Sequence, residues 1–128
     1  ITLEYTLDKK LKEIIWIGNS LKVVKSFPEQ VKKDIGDALL DFQFGGISPK
    51  AKPLKGIAPG LYEIRNNFDS DTYRTVLALK LGEKVYVLHA FKKKSKKGIK
   101  TPLEEIKLIK YRYKEAIEVS IELEKLEK

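Results

Sequence analysis

Between Leu61 and Lys92 the chain reads as three alternating, strand-like runs. They are roughly Leu61 to Phe68, Thr72 to Leu81 and Glu83 to Lys92, parted by Asp69-Ser70 and Gly82-Glu83. Connections this short join only antiparallel neighbours, so the segment predicts a three-stranded meander. Two-residue turns also set the register. Arg65 then stands opposite Arg74, Arg74 opposite Phe91, and His89 beside Val76. Tyr62, Ile64, Thr75, Leu77, Leu79, Tyr86, Leu88 and Ala90 share one apolar face, expected to pack on helices. Glu63, Arg65, Arg74, Lys80, His89, Phe91 and Lys93 share the other. A slip of one residue would drive the charges into the core, so the alternation supports this pairing.

The flanks supply the helices. Ile14 to Ile17, closed by Gly18, reads as a short buried strand. Asn19 and Ser20 are helix-starting residues, and Leu21, Val24 and Phe27 recur at helical spacing until Pro28. Pro28 suits the first turn of a second helix carrying Val31, Ile35, Ala38, Leu39 and Phe42 on one side, ended by Gly45-Gly46. Residues 47–60, rich in proline and glycine, read as loop. A last helix starts near Thr101-Pro102, with Ile106, Ile109, Tyr113, Ala116 and Ile117 as its apolar stripe. The expected fold is α+β: a small, mostly antiparallel sheet packed against an N-terminal helical hairpin and a C-terminal helix. With 128 residues the chain makes one domain, 1–128, in which 1–11 read as an N-terminal extension.

Charge narrows the function. The net charge is +8, and residues 92–100 alone hold six lysines and no acid. So concentrated a patch attracts polyanions far better than the same charge spread evenly. Lys92, Lys94, Lys96 and Lys97, with Lys52 and Lys55 in the loop, are the candidate RNA-binding residues. The plain alternative for such a run is a solvated loop. No stretch is apolar enough to span a bilayer, and the last helix mixes both charge signs on its outer side, which argues against membrane binding. Cysteine is absent, which makes the cytoplasm the default compartment. One histidine cannot build a zinc site of several imidazoles.

The catalytic candidates are Arg65, Arg74, Lys93 and His89. Two arginines directly opposite each other repel unless an anion lies between them. Solvated arginines paired with Glu63 or Asp71 are the plain alternative. His89 has a side chain suited to proton transfer near neutrality, yet a lone histidine in an apolar strand is more often a half-buried structural residue. Phe91 and Trp16 read as core.

The ordered set Trp16-Ile17-Gly18-Asn19-Ser20-Leu21, Phe27-Pro28-Glu29, Lys52-Pro53-Leu54-Lys55-Gly56, Leu61-Tyr62-Glu63-Ile64-Arg65, Tyr73-Arg74-Thr75-Val76, Val85 through Lys94, and Lys100-Thr101-Pro102 resembles the phage-derived, HigB-like branch of the RelE/HigB toxin superfamily. The likeness runs from about Ile14 to Ala116. It implies a RelE-like sheet and a toxin that cuts mRNA in the ribosomal A site, restrained by a HigA-type helix-turn-helix antitoxin. It also implies that Arg65, Arg74 and Lys93 are the functional basic residues, with Lys92 and Lys94 beside them. Tyr111 and Tyr113 are loose candidates for a C-terminal tyrosine that some members use. RNA carries its own nucleophile, the 2′-hydroxyl, so this scheme calls for no metal or cofactor. Two rival readings are a non-catalytic RNA-binding module, such as a degenerate toxin, and a pure interaction protein.

Overall fold

The structure, a computed structural model, describes residues 11–94 and 100–127. Among the described residues eight elements follow one another: β1 (Ile14–Trp16), α1 (Ser20–Lys25), α2 (Glu29–Gln43), β2 (Ala51–Pro53), β3 (Leu61–Phe68), β4 (Asp71–Ala78), β5 (Val85–Lys94) and α3 (Leu103–Leu126). The strands form one sheet in the order β1-β5-β4-β3-β2. β1 runs parallel to β5, and the other pairs are antiparallel. The α+β architecture is the expected one.

The β3–β4 hairpin has the anticipated register, with Arg65 opposite Arg74. Its turn residues Asp69 and Ser70 have φ of 49° and 69°, the left-handed pair a tight hairpin needs to match strand twist. The β4–β5 pairing departs halfway. Arg74 faces Phe91 and Val76 faces His89 as expected, but a bulge follows and Leu77 pairs with Val87. The Gly82-Glu83 turn is therefore not a two-residue hairpin, and the extra residue turns the start of β5 over. Tyr86 and Leu88 consequently leave the expected face and pack with Val76, Ala78, Ile17, Ile109 and Ala116 on the other. Val85 and Val87 take their place beside Ile64, Leu77 and Ala90.

Each face of the sheet thus has its own core. α1 and α2 cover the first, where Val31, Ile35, Ala38, Leu39 and Phe42 are buried at the predicted spacing. α3 covers the second through Ile109 and Ala116. Each fully buried aliphatic side chain contributes roughly 1.5–3 kcal/mol. The face that carries Arg65, Arg74 and His89, for which no covering helix was expected, is therefore roofed. Loop 47–60 also contains a strand that the proline-rich pattern hid. β2 is only three residues long and ends at Pro53, opposite Tyr62 on the sheet edge, where a missing N–H does no harm.

Asn19 and Ser20 start α1, but neither side chain caps it. Ser20 Oγ donates to the Val87 carbonyl at 3.1 Å, fastening α1 to β5. Asn19 serves the network described next.

Candidate active site

The cross-strand arginines share one carboxylate. Glu63 lies on the same strand and face as Arg65, two residues earlier. Arg65 Nε donates to Glu63 Oε1 at 2.6 Å, and Arg74 Nη1 lies 3.7 Å from Glu63 Oε2. The anion between the two guanidinium groups is thus part of the protein. Glu63 and Arg74 are each 2% exposed, whereas the Arg65 side chain is 32% exposed. Burial lowers the pKa of Arg74 and Glu63 opposes the shift, but an arginine stays charged regardless.

Lys93 completes the cluster. It pairs across the sheet with Thr72, one step beyond Arg74 on the same face. Its Nζ donates to the Lys100 carbonyl. Arg74 Nη1 donates to Thr101 Oγ1 at 3.2 Å. The segment leading into α3 therefore lies over both cations. Burial, then Arg74 and Arg65, lower the pKa of Lys93, because a desolvated ammonium beside two guanidinium groups gives up its proton more readily.

His89 occupies a second network on the same face. Arg112 reaches from α3 and donates through Nη1 to the Leu88 carbonyl at 3.2 Å and to His89 Nδ1 at 3.0 Å. Its Nη2 donates to Asn19 Oδ1 at 2.7 Å. A guanidinium can only donate, so Nδ1 accepts and the imidazole proton sits on Nε2. That proton points to Glu105 Oε1, 2.8 Å away. The ring also stacks on Phe91 with centroids 5.4 Å apart. Both nitrogens of His89 are thus engaged inside the protein.

Burial, then the facing Arg112 charge, lower the pKa of His89 from its ordinary 6.5, while Glu105 raises it. The unfolded chain therefore binds this proton more readily than the folded one. The stabilisation is fully present above pH 6.5 and declines as pH falls below it toward the folded value. The melting temperature is expected to drop between pH 7 and pH 5, and His89→Gln to flatten that dependence. Parallel melts of the two proteins would check this, and equal slopes would refute it.

Gly18 makes room for the network. It has φ of +57°, and a Cβ there would lie 2.7 Å from Arg112 Nε. Gly18→Ala is expected to cost about 1–2 kcal/mol for the left-handed backbone alone, plus whatever displacing Arg112 adds. Denaturant unfolding would measure it.

The candidate lysines divide. Lys92 is exposed and 3.7 Å from Asp71 Oδ2. Lys94 is exposed at the end of β5. Lys52 is exposed on β2, across the sheet from Glu63. Lys55 is exposed beside a groove reaching Thr101. Lys96 and Lys97 lie outside the described residues. On α3, Tyr111 is exposed, whereas Tyr113 packs against the second core. Among the described residues no cluster of acids, histidine or cysteine could hold a metal ion, and no helix is long and apolar enough to cross a membrane.

Glu63, Thr101, Asn19, Glu105 and Arg112 have places here that reading the sequence did not assign. Arg112 left a trace: it falls three residues after Ile109 and four before Ala116, on the buried stripe itself. Glu63 left one too, as the acid two residues before Arg65, read only as an alternative partner.

This sheet, flanked by a helical hairpin and a closing helix, is a RelE fold. The chain superposes on a free-state mutant of the E. coli toxin RelE in which two arginines are replaced by alanine. The TM-score is 0.51 at 18% identity, over 84% of this chain and 96% of that one. No curated protein sequence matches the chain. Residues 22–114 match the family described as phage derived protein Gp49-like (DUF891). The chain belongs to that family and, through it, to the RelE/HigB toxin superfamily.

Proposed function

We propose that the chain is the toxin of a toxin–antitoxin pair and cleaves mRNA on the ribosome, in the cytoplasm. The observation that carries this reading is the Arg65–Arg74 pair held across the hairpin on Glu63, with Lys93 beside it. Two guanidinium groups match the oxygens of a phosphodiester bidentately. Glu63 holds them in place before RNA arrives. The 2′-oxygen attacks the adjacent phosphorus as the bond to the 5′-oxygen breaks. The 2′-hydroxyl proton leaves to a base and the departing 5′-oxygen takes one up. The products are a 2′,3′-cyclic phosphate and a 5′-hydroxyl end, and no cofactor takes part.

Lys93 offsets the charge that develops on phosphorus oxygens. His89, with both nitrogens occupied, acts in this reading as a positioning residue for α3. Lys52, Lys55, Lys92, Lys94, Lys96 and Lys97 hold the RNA backbone or ribosomal RNA, and a HigA-type helix-turn-helix protein is the restraining partner. The burial of Arg74 and Lys93 beneath Thr101 and Lys100 favours a second reading, a non-catalytic RNA-binding module or degenerate toxin. Primer extension on RNA from induced cells separates them. New 5′ ends within reading frames are expected; intact message together with salt-sensitive RNA binding would establish the second reading instead.

A further inference from the structure

We propose that the groove between the β2–β3 loop and the first turns of α3 binds the nucleotide next to the cleaved phosphate in single-stranded RNA; this rests on the function proposed above. The groove has a volume of about 430 Å³, within the ~300–1,000 Å³ range of small-ligand sites. Lys55, Lys100 and Lys110 rim it, all exposed, and among the described residues no carboxylate lines it. Ile57, Leu103 and Ile106 supply an apolar lining, and Leu103 is 66% exposed. Thr101 forms part of the wall, and its hydroxyl is the one that accepts from Arg74. A ligand in the groove is therefore separated from the arginine pair by one side chain.

That combination selects the occupant. Cations around an apolar patch fit a nucleotide, whose phosphates meet the lysines while the base face covers the hydrocarbon. An acidic peptide would satisfy the lysines and leave Leu103 in water. A duplex keeps its base faces stacked, so only an unpaired strand can present one.

The test uses the full chain and a labelled RNA octamer whose 2′-oxygens are methylated, so that it cannot be cut. Binding is read by fluorescence anisotropy across a salt series. Lys110→Glu is expected to weaken binding about tenfold at low salt and to reduce the log–log salt slope by roughly 0.7, the loss of one phosphate contact on a single strand. Leu103→Ser, which removes the apolar cover without adding charge, is expected to weaken binding of intact RNA but not of an octamer with abasic sites throughout. Lys33→Glu on α2, exposed and on the other layer, is expected to change affinity less than twofold. Equal losses from Lys33→Glu and Lys110→Glu would overturn the groove, leaving only bulk charge. So would undiminished binding by Leu103→Ser. Displacement of the RNA by equimolar octa-glutamate would assign the groove to an acidic peptide and also overturn it. The two inferences fail separately. If wild type cuts mRNA while the groove variants bind normally, the groove is wrong and the function stands. If message stays intact while binding still depends on Lys110 and Leu103, the function is wrong and the groove stands only as a single-stranded RNA-binding site.

Discussion

Arg74→Ala is expected to lower RNA cleavage by about 10²–10³-fold, the usual cost of removing one preorganised donor from a developing negative charge, and to abolish growth arrest on induction. The same change leaves Glu63 at 2% exposure with Arg65 as its remaining guanidinium. A buried carboxylate that loses one of its two cations is destabilised, so loss of activity in the single variant has to be separated from loss of the fold. The double variant Arg74→Ala with Glu63→Gln removes the carboxylate's charge as well. It is expected to melt closer to wild type than the single variant does and to remain inactive. Growth arrest paired with thermal melts decides the matter. A folded Arg74→Ala protein that still arrests growth would strip the arginine pair of its role. Arg65→Ala offers a graded comparison, because that side chain is partly solvated and its loss disturbs folding less.

The second large effect is expected at Arg112. This one side chain touches the corner after β1, the bulged part of β5 and the body of α3 at once. Arg112→Ala leaves the Leu88 carbonyl, His89 Nδ1 and Asn19 Oδ1 without their donor. Hydrogen bonds from a charged group contribute about 1.5–3 kcal/mol each and do not add fully, so a loss of about 3 kcal/mol is expected. For a chain of this size that lowers Tm by about 10–15 °C. Arg112→Lys is expected to recover little, since one compact ammonium does not reproduce the planar fork whose two nitrogens reach β5 and Asn19 separately. A melt within 2 °C or so of wild type would show that the network is dispensable.

Much of this was legible from residue order. The β3–β4 hairpin was, because Asp69-Ser70 pinned a register that Arg65 and Arg74 then confirmed by standing opposite each other. α2 was, because its five buried residues repeat at helical spacing. The bulge in β5 was not. Val85 to Leu88 is apolar at every position, so alternation carries no information about which side faces which core. The roof over the polar face was illegible for a related reason: α3 presents a narrow apolar stripe, and an arginine within that stripe looks like a surface residue until its partners are known. β2 escaped notice because a lysine and a proline in a three-residue strand outweigh any strand propensity. At the site, the arginine pair was readable and its counter-ion was not, since Glu63 lies two residues from Arg65 and Asp71 three from Arg74, and spacing alone does not choose between them.

The parallel pairing of β1 with β5 carries a temporal consequence. Ile14 finds its neighbour only when Val85 has been made, and at ~5–20 residues per second that wait lasts roughly 4–14 s. The nascent chain therefore carries β1 unmatched throughout the synthesis of α1 to β4, and Arg112, which locks the corner beside it, arrives later still. Maturation of this protein is therefore ordered: the charged cluster is built on the β3–β4 hairpin, but its cover and its anchor come only once α3 has followed β5 out of the ribosome.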